Sequence, residues 1–474
     1  MIIFRAGFVG TIAILLFSVM FISSQRVQFA DAGTVCIDYR QAERAVTISC
    51  DASFGDVVNT MNNQGVLENL GNQEYLLNAN LQVGDGATLS MNSNDVKWLK
   101  LADGNGIIVN GKIRIDGLKI TSWDASTNDV IGQNMNGTIS RGYIQFAASE
   151  GADITNSEIA YLGYIEPGKR GFDLFGGGGP SHDMTIRGSK FHDMWMAFYS
   201  NGAYNIKVDG NEYYNNIKYA LDPHTGTHDM NITNNWVHHN IQGVICSDDC
   251  YNILIEGNTV HHNSNAGIFF SRNMTDSIAR NNHVYDTSTG ILISESPNNR
   301  IYNNIVEGAT DEAVLVFNPD VPDDGQTANN HIYNNIISNS DDGIRASSSH
   351  DNILENNTFY NITSSEYNLS GNSSMPIRGQ HFDNALISIE GSAPNNIVEI
   401  VDSGTIHVVE ANEGEAQEDN NNNNGDNDDE NNNNNGDDGD NDEDEGDSFN
   451  TDDTPFRMTL GEDEGIRVNS DEEA

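Results

Sequence analysis

Tyr219, Asp222 and His224 stand in the six-residue run Tyr219-Ala220-Leu221-Asp222-Pro223-His224. The run brings a phenol, a carboxylate and an imidazole together, and Pro223 stiffens the chain between the last two. Two proton carriers held at a set separation suit a reaction in which a proton leaves one side of a carbon and another arrives. Cationic side chains occur at Lys169, Arg170 and Arg272. Any of them could neutralise an anionic substrate group beside such a pair.

The elements that position these residues repeat. Asn205-Ile206-Lys207-Val208-Asp209-Gly210-Asn211 returns as Asn252-Ile253-Leu254-Ile255-Glu256-Gly257-Asn258, and looser copies end at Asn235, Asn282, Asn304, Asn335 and Asn357. The period is about 22 to 24 residues, shorter than a propeller blade or a helix-pair repeat. Alternating Ile and Val between Asn/Gly turns reads as short strands. The expected fold is all-β, a right-handed parallel β-helix with an N-terminal cap, its inward Ile, Val and Leu forming a continuous core and its turn asparagines stacking as a ladder. Ser53 is placed to cap a helix over Asp56 to Leu70 that closes the N-terminal end. Asn318 to Gln326 reads as an inserted loop, and Tyr164 to Asp183, with its run Gly176 to Gly179, as a flap over a groove.

Residues at one position of successive coils form a column. Aligned from their starts, the strands ending at His224, Asp248, Arg272 and Glu295 place those four in one column, to within about a residue. His228 and Asp229 follow closely enough to orient His224. The pairs His238-His239 and His261-His262 sit at equivalent positions of adjacent coils. They read at least as well as a solvated histidine ladder as a zinc site, and no metal site is predicted.

The run from Tyr219 to His224, set among parallel β-helix repeats, resembles the mannuronan C5-epimerases that act on alginate. Those enzymes carry Tyr-Gly-Phe-Asp-Pro-His followed by Asp or Glu. The resemblance covers roughly Ile154 to Ser349 as repeats and is sharp from Tyr219 to Arg272. It implies that His224 is the base, Tyr219 a proton donor or second base, and Asp222 a structural or site carboxylate. It also implies that Arg272, in Ser271-Arg272, neutralises the sugar carboxylate. The chain departs from the family pattern twice. Thr225 replaces the acidic residue after the His, and Ser247-Asp248 stands where the periplasmic members have Ser-Arg. Arg272 is therefore two coils from His224, about 10 Å along the stack, a distance at which it would meet the neighbouring sugar. Lys169, Arg170, Asp248 and Glu295 are the remaining candidates for substrate contact.

The resemblance implies inversion at C5 of mannuronate within a polymer. A lyase would share the first half-reaction and expel the 4-oxygen instead, and a non-catalytic glycan-binding rod is a reading from another class. No cofactor is required by the chemistry, and calcium is left open as a ligand.

The 474 residues carry a formal net charge of −47, which argues against nucleic acid and anionic membrane surfaces as partners. About half of that charge lies from Glu410 onward, where about 25 acidic residues face Arg457 and Arg467. An anionic polysaccharide therefore needs clustered cations or screening metal ions at its site. Residues 1–32 read as an export signal, with Arg5, an apolar Phe8 to Ile22 and the small residues Ala30 and Ala32. Cys36 is expected to pair with Cys50, and Cys246 with Cys250. Residues 33–135 are expected to form the cap and first coils, 136–409 the catalytic β-helix, and 410–474 a disordered Asn/Asp-rich tail. Asn-x-Ser/Thr sequons, Asn231 and Asn368 among them, fit a glycosylated surface protein. A secreted or cell-surface monomer without stable membrane insertion is the expected form.

Overall fold

The computed structural model describes residues 35–61, 65–175, 179–318, 327–370, 373, 375–378, 383–390, 398–400 and 405–410. The export signal, Gly176 to Gly178, nearly all of the inserted loop and the acidic tail lie outside the described residues.

Each turn of the chain lays down three strands, one on each of three sheets. Tyr219–His224 is followed by His228–Thr233 and Trp236–His238 before the chain returns to the first sheet at Gln242–Cys246. Among the described residues the sheets hold 16, 14 and 13 strands. Pairing is parallel between coils. Antiparallel pairs occur near the N-terminus, Ile37–Arg40 with Ala45–Ile48 and Leu67–Gly71 with Glu74–Leu77. Parallel crossovers are overwhelmingly right-handed, because a right-twisted strand packs back onto its sheet only that way.

The Ile/Val alternation does what period-two patterning requires. Val244, Ile268, Ile291 and Val314 pair in register along the first sheet and are fully buried, as are Val237, Val260, Val284 and Val306 along the third. Each such side chain contributes roughly 1.5–3 kcal/mol by leaving water. Stacking makes that core continuous.

The asparagine ladder is present. Asn211, Asn235, Asn258, Asn282, Asn304, Asn335 and Asn357 are buried, each amide Nδ2 donating to the next side-chain Oδ1 up to Asn335. Successive rungs are 24, 23, 24, 22, 31 and 22 residues apart, and the one long step contains the inserted loop. Asn216, Asn240 and Asn263 make a second ladder at another corner.

The N-terminal helix is shorter than expected. Ser53 does cap it: its Oγ accepts from the Asp56 amide at 3.1 Å, and its own N–H donates to Asp56 Oδ2 at 2.9 Å. The helix is Phe54–Met61, burying Phe54, Val57 and Met61, and Leu67–Gly71 is a strand. Gly65, at φ 72°, adopts a left-handed conformation that no helix continues through.

Cys36 and Cys50 form a disulfide across the first hairpin, with Cα atoms 5.3 Å apart. The second expected disulfide is absent: Cys246 and Cys250 are free and buried. Cys246 ends one strand and Cys250 precedes the next, with the corner Ser247 to Asp249 between them, and the Cys250 thiol donates to Ser247 O at 3.0 Å instead. Asn368, one of the sequons, is buried with its amide donating to Asp342 Oδ2 at 2.9 Å.

Candidate functional site

The strand Tyr219–His224 lies in the first sheet, with Tyr199 opposite Asp222 and Leu221 opposite Val244. His224 is the last strand residue and bridges to Ser247, not Asp248. The column therefore begins one residue later than the sequence alignment placed it. Thr225, Asp248, Arg272 and Glu295 occupy the left-handed corner that follows the strand, at φ 40°, 57°, 46° and 50°. Backbone bonds fix the stacking: Gly226 N–H donates to Asp248 O, Asp249 N–H to Arg272 O and Asn273 N–H to Glu295 O. Most such corners here carry Asn, Asp or Gly. Thr, Arg and Glu adopt this conformation at a cost of order 1 kcal/mol each, so the corner holds strained residues beside the histidine.

Three groups from three coils meet there. The His224 Nδ1 lies 2.6 Å from Thr225 Oγ1 and 3.5 Å from Asp248 Oδ2. Asp248 in turn accepts from Arg272 Nε at 2.9 Å through its other oxygen. The Arg272 guanidinium reaches back so that one terminal nitrogen is 3.5 Å from His224 Nε2. The separation of about 10 Å inferred from two coils of rise thus does not hold for the two side chains. The coil spacing separates the backbones, and the long arginine side chain closes the gap. Asp248 supplies the carboxylate that Thr225 does not. His228 and Asp229 do not orient His224; His228 Nδ1 pairs with Asp229 Oδ2 at 2.9 Å, and its ring stacks between Tyr204 and Tyr251.

Tyr199 is the residue that sequence reasoning passed over. Its ring is 5.4 Å from that of His224, and the Arg170 guanidinium lies over the same Tyr199 ring, 4.1 Å from its centroid. Tyr219 packs against the same cluster of Trp195, Met196 and Tyr199, and also against Ile245, Phe269 and Leu292. Asp173, Tyr199 and Asp222 follow one another in register across three coils, and all three are buried. Burial pushes the Asp173 carboxyl up to about 7 against the opposing pull of Arg170, whose guanidinium is 3.8 Å away. The signal for Tyr199 was available in the repeat, since it is the register partner of Asp222.

The other candidates divide. Arg170 joins the site through Tyr199. Lys169 is held within its own loop, its ammonium bonded to Glu166. Glu295 occupies the corner one coil beyond Arg272. Among the described residues no group of three or more His, Cys, Asp or Glu side chains is placed to hold a metal ion.

Comparison with known proteins agrees with this architecture. Two relatives are the mannuronan C5-epimerase of Pseudomonas putida, 26% identical over 174 residues (35% of this chain and 33% of that protein), and that of Pseudomonas aeruginosa, 27% identical over 167 residues (33% and 30%). The chain spans about a third of the length of these curated relatives. A solved structure of the periplasmic alginate epimerase AlgG superimposes with a TM-score of 0.59 at 20% identity, covering 77% of this chain and 85% of that one, which is a likeness of fold. The family model for the right-handed β-helix region matches residues 81–280, 171–321 and 273–436, spans that together exceed half of the sequence. The three-sheet coil, its ladders and this match agree, and the chain belongs to the right-handed β-helix family.

Proposed function

We propose that the protein is an exported epimerase that inverts C5 of mannuronate residues within a polymer, with His224 as the base. The cluster of His224, Asp248 and Arg272 carries this reading. A C5 proton is α to a carboxylate and only weakly acidic, so the carboxylate must be neutralised before the carbanion-like intermediate becomes accessible. Arg272 stands beside His224 Nε2, where an incoming carboxylate can take up its guanidinium. Thr225 and Asp248 hold the opposite ring nitrogen, which favours the tautomer with its proton on Nδ1 and a lone pair on Nε2. That lone pair accepts the C5 proton. Tyr219 returns a proton to the other face, and the carboxylate is released with C5 inverted. Asp222, buried opposite Tyr199, supports the floor between the two proton carriers.

The epimerases among the relatives and the alginate enzyme of like fold support an anionic polysaccharide substrate and an exported location, secreted or at the cell surface. The scheme works with a single chain and without a cofactor. Proton NMR of polymannuronate in deuterium oxide tests it. Wild type exchanges the C5 proton and forms guluronate, and H224A does neither while remaining folded. Exchange that persists in H224A removes His224 as base. A rise in ultraviolet absorbance with falling polymer length would replace inversion by elimination, and binding without exchange would leave a glycan-binding rod.

A further inference from the structure

The third sheet carries a histidine array that the proposed C5 chemistry does not use. Along its outer face the rings of His192, Tyr214, His238, His261 and Tyr285 stack at centroid spacings of 4.6, 5.4, 5.1 and 4.6 Å. At the adjoining corner His239 stacks on His262 at 5.2 Å. Within each coil the neighbouring histidines face each other through Nδ1, at 2.8 Å for His238 and His239 and at 2.8 Å for His261 and His262. The two pairs look equivalent, but their outer hydrogen bonds make them chemically different.

In the second pair, the Trp236 indole N–H, which can only donate, lies 2.6 Å from His261 Nε2. That nitrogen is therefore an acceptor, and a neutral His261 carries its proton on Nδ1, pointing at His262. Its Nδ1 lone pair is not available. In the first pair, His238 Nε2 faces Glu212 Oε1 at 3.4 Å, and Glu212 is bonded to Lys190 at 2.7 Å. A carboxylate can only accept, so His238 Nε2 donates and its Nδ1 holds a lone pair. His239 is exposed and can keep its proton on Nε2, which turns a second Nδ1 lone pair toward the first.

We propose that His238 and His239 chelate a divalent first-row transition cation through their Nδ1 atoms, with Glu212 orienting His238 from behind, and that the neighbouring pair does not. The histidine–carboxylate arrangement is the one that fixes tautomer and ring orientation in metal-ligating histidines. Stacking of His238 between Tyr214 and His261 restrains its ring. The bite selects the cation. Two nitrogens 2.8 Å apart, each about 2.0–2.1 Å from a metal, subtend about 85°. That is close to the right angle of square-planar or octahedral Cu(II) and Ni(II) and well short of the tetrahedral angle zinc prefers. Two side chains complete only a cis pair, as the lack of a three-ligand group among the described residues requires, and water fills the remaining positions.

The test uses the full chain without a histidine tag, titrated with CuCl2 or NiCl2 and followed by calorimetry and, for copper, by electron paramagnetic resonance. One equivalent of Cu(II) should bind ahead of the rest with a two-nitrogen signature. H239N, whose asparagine tolerates the left-handed corner at φ 57°, should weaken that equivalent at least tenfold, and H262N should leave it unchanged. The proposal is overturned by wild type showing no such equivalent, by H239N retaining it, or by H262N weakening it as much as H239N. Neither substitution lies in the cluster of His224, Asp248 and Arg272, so C5 exchange serves as the check that both variants are folded, and its absence in wild type would count against the catalytic reading alone.

Discussion

Replacing Arg272 by alanine separates stability from catalysis. The Arg272–Asp248 ion pair is exposed, with 47% and 35% of the two side chains accessible. Its loss should change stability by no more than about 1 kcal/mol, and the fold, held by the core and ladders, should survive. The barrier should respond more strongly. A preorganised group aimed at developing charge is worth about 10²–10³ in rate, or about 2.7–4 kcal/mol. R272A should therefore exchange the C5 proton of polymannuronate at saturating polymer about 100- to 1,000-fold more slowly than wild type, with an unchanged unfolding midpoint. R272K keeps the charge but loses the Nε–H that anchors the guanidinium to Asp248 Oδ1 at 2.9 Å, and an intermediate loss of about tenfold is expected. Exchange by R272A within threefold of wild type would refute the assignment. Arg170, 4.1 Å from the Tyr199 ring, would then be the next neutraliser to test.

Other outcomes follow from the fold. N258A removes the acceptor of the Asn235 amide N–H and side-chain Nδ2 and the donor to Ile232 O. With about 1–3 kcal/mol for each buried group left unmade, a loss of about 3 kcal/mol is expected in denaturant unfolding, with faster hydrogen exchange at Asn235; an unchanged midpoint would mean that the ladder adds nothing. Asp173, raised to about 7 by burial, keeps in the folded protein a proton that the unfolded chain releases at ordinary aspartate values. Stability should accordingly fall as pH rises from about 4 to about 7 and level off above. D173N should flatten that decline, and an equal slope in the variant would reject the assignment. Burial raises both Cys246 and Cys250 thiols, so neither should react with a thiol reagent in the native protein and both should on unfolding; finding no thiols in the unfolded chain would restore the disulfide.

What the sequence disclosed, it disclosed through periodicity. The ladder from Asn211 to Asn357 was legible because a buried amide must meet its copy in the next coil, and that need stamps Asn at fixed intervals. His224 stood out because Asp-Pro-His is unusual in such a wall. Alignment from Tyr219 puts the column off by one, because Ala220 is the equivalent of Gly243, Gly267 and Gly290, as the Leu221–Val244 pairing requires. Small residues at that position are forced by crowding: a Cβ on Gly290 would lie 2.3 Å from Val306 Cγ1. The reach of Arg272 was hidden for another reason. Coil spacing fixes Cα positions, and the rotamer that carries a guanidinium back across a coil leaves no periodic trace. The proximity of Cys246 and Cys250 in sequence carries no information on where a corner aims two thiols.

The carboxylate beside His224 arrives from Asp248, one coil away, and not from the residue that follows the histidine. In a stacked fold, sites remote in sequence are interchangeable neighbours. A group needed at one point can be handed from position 225 to position 248 by two independent substitutions, either of which leaves the backbone course untouched. Such a fold lets an active site drift along the gene while standing still in space.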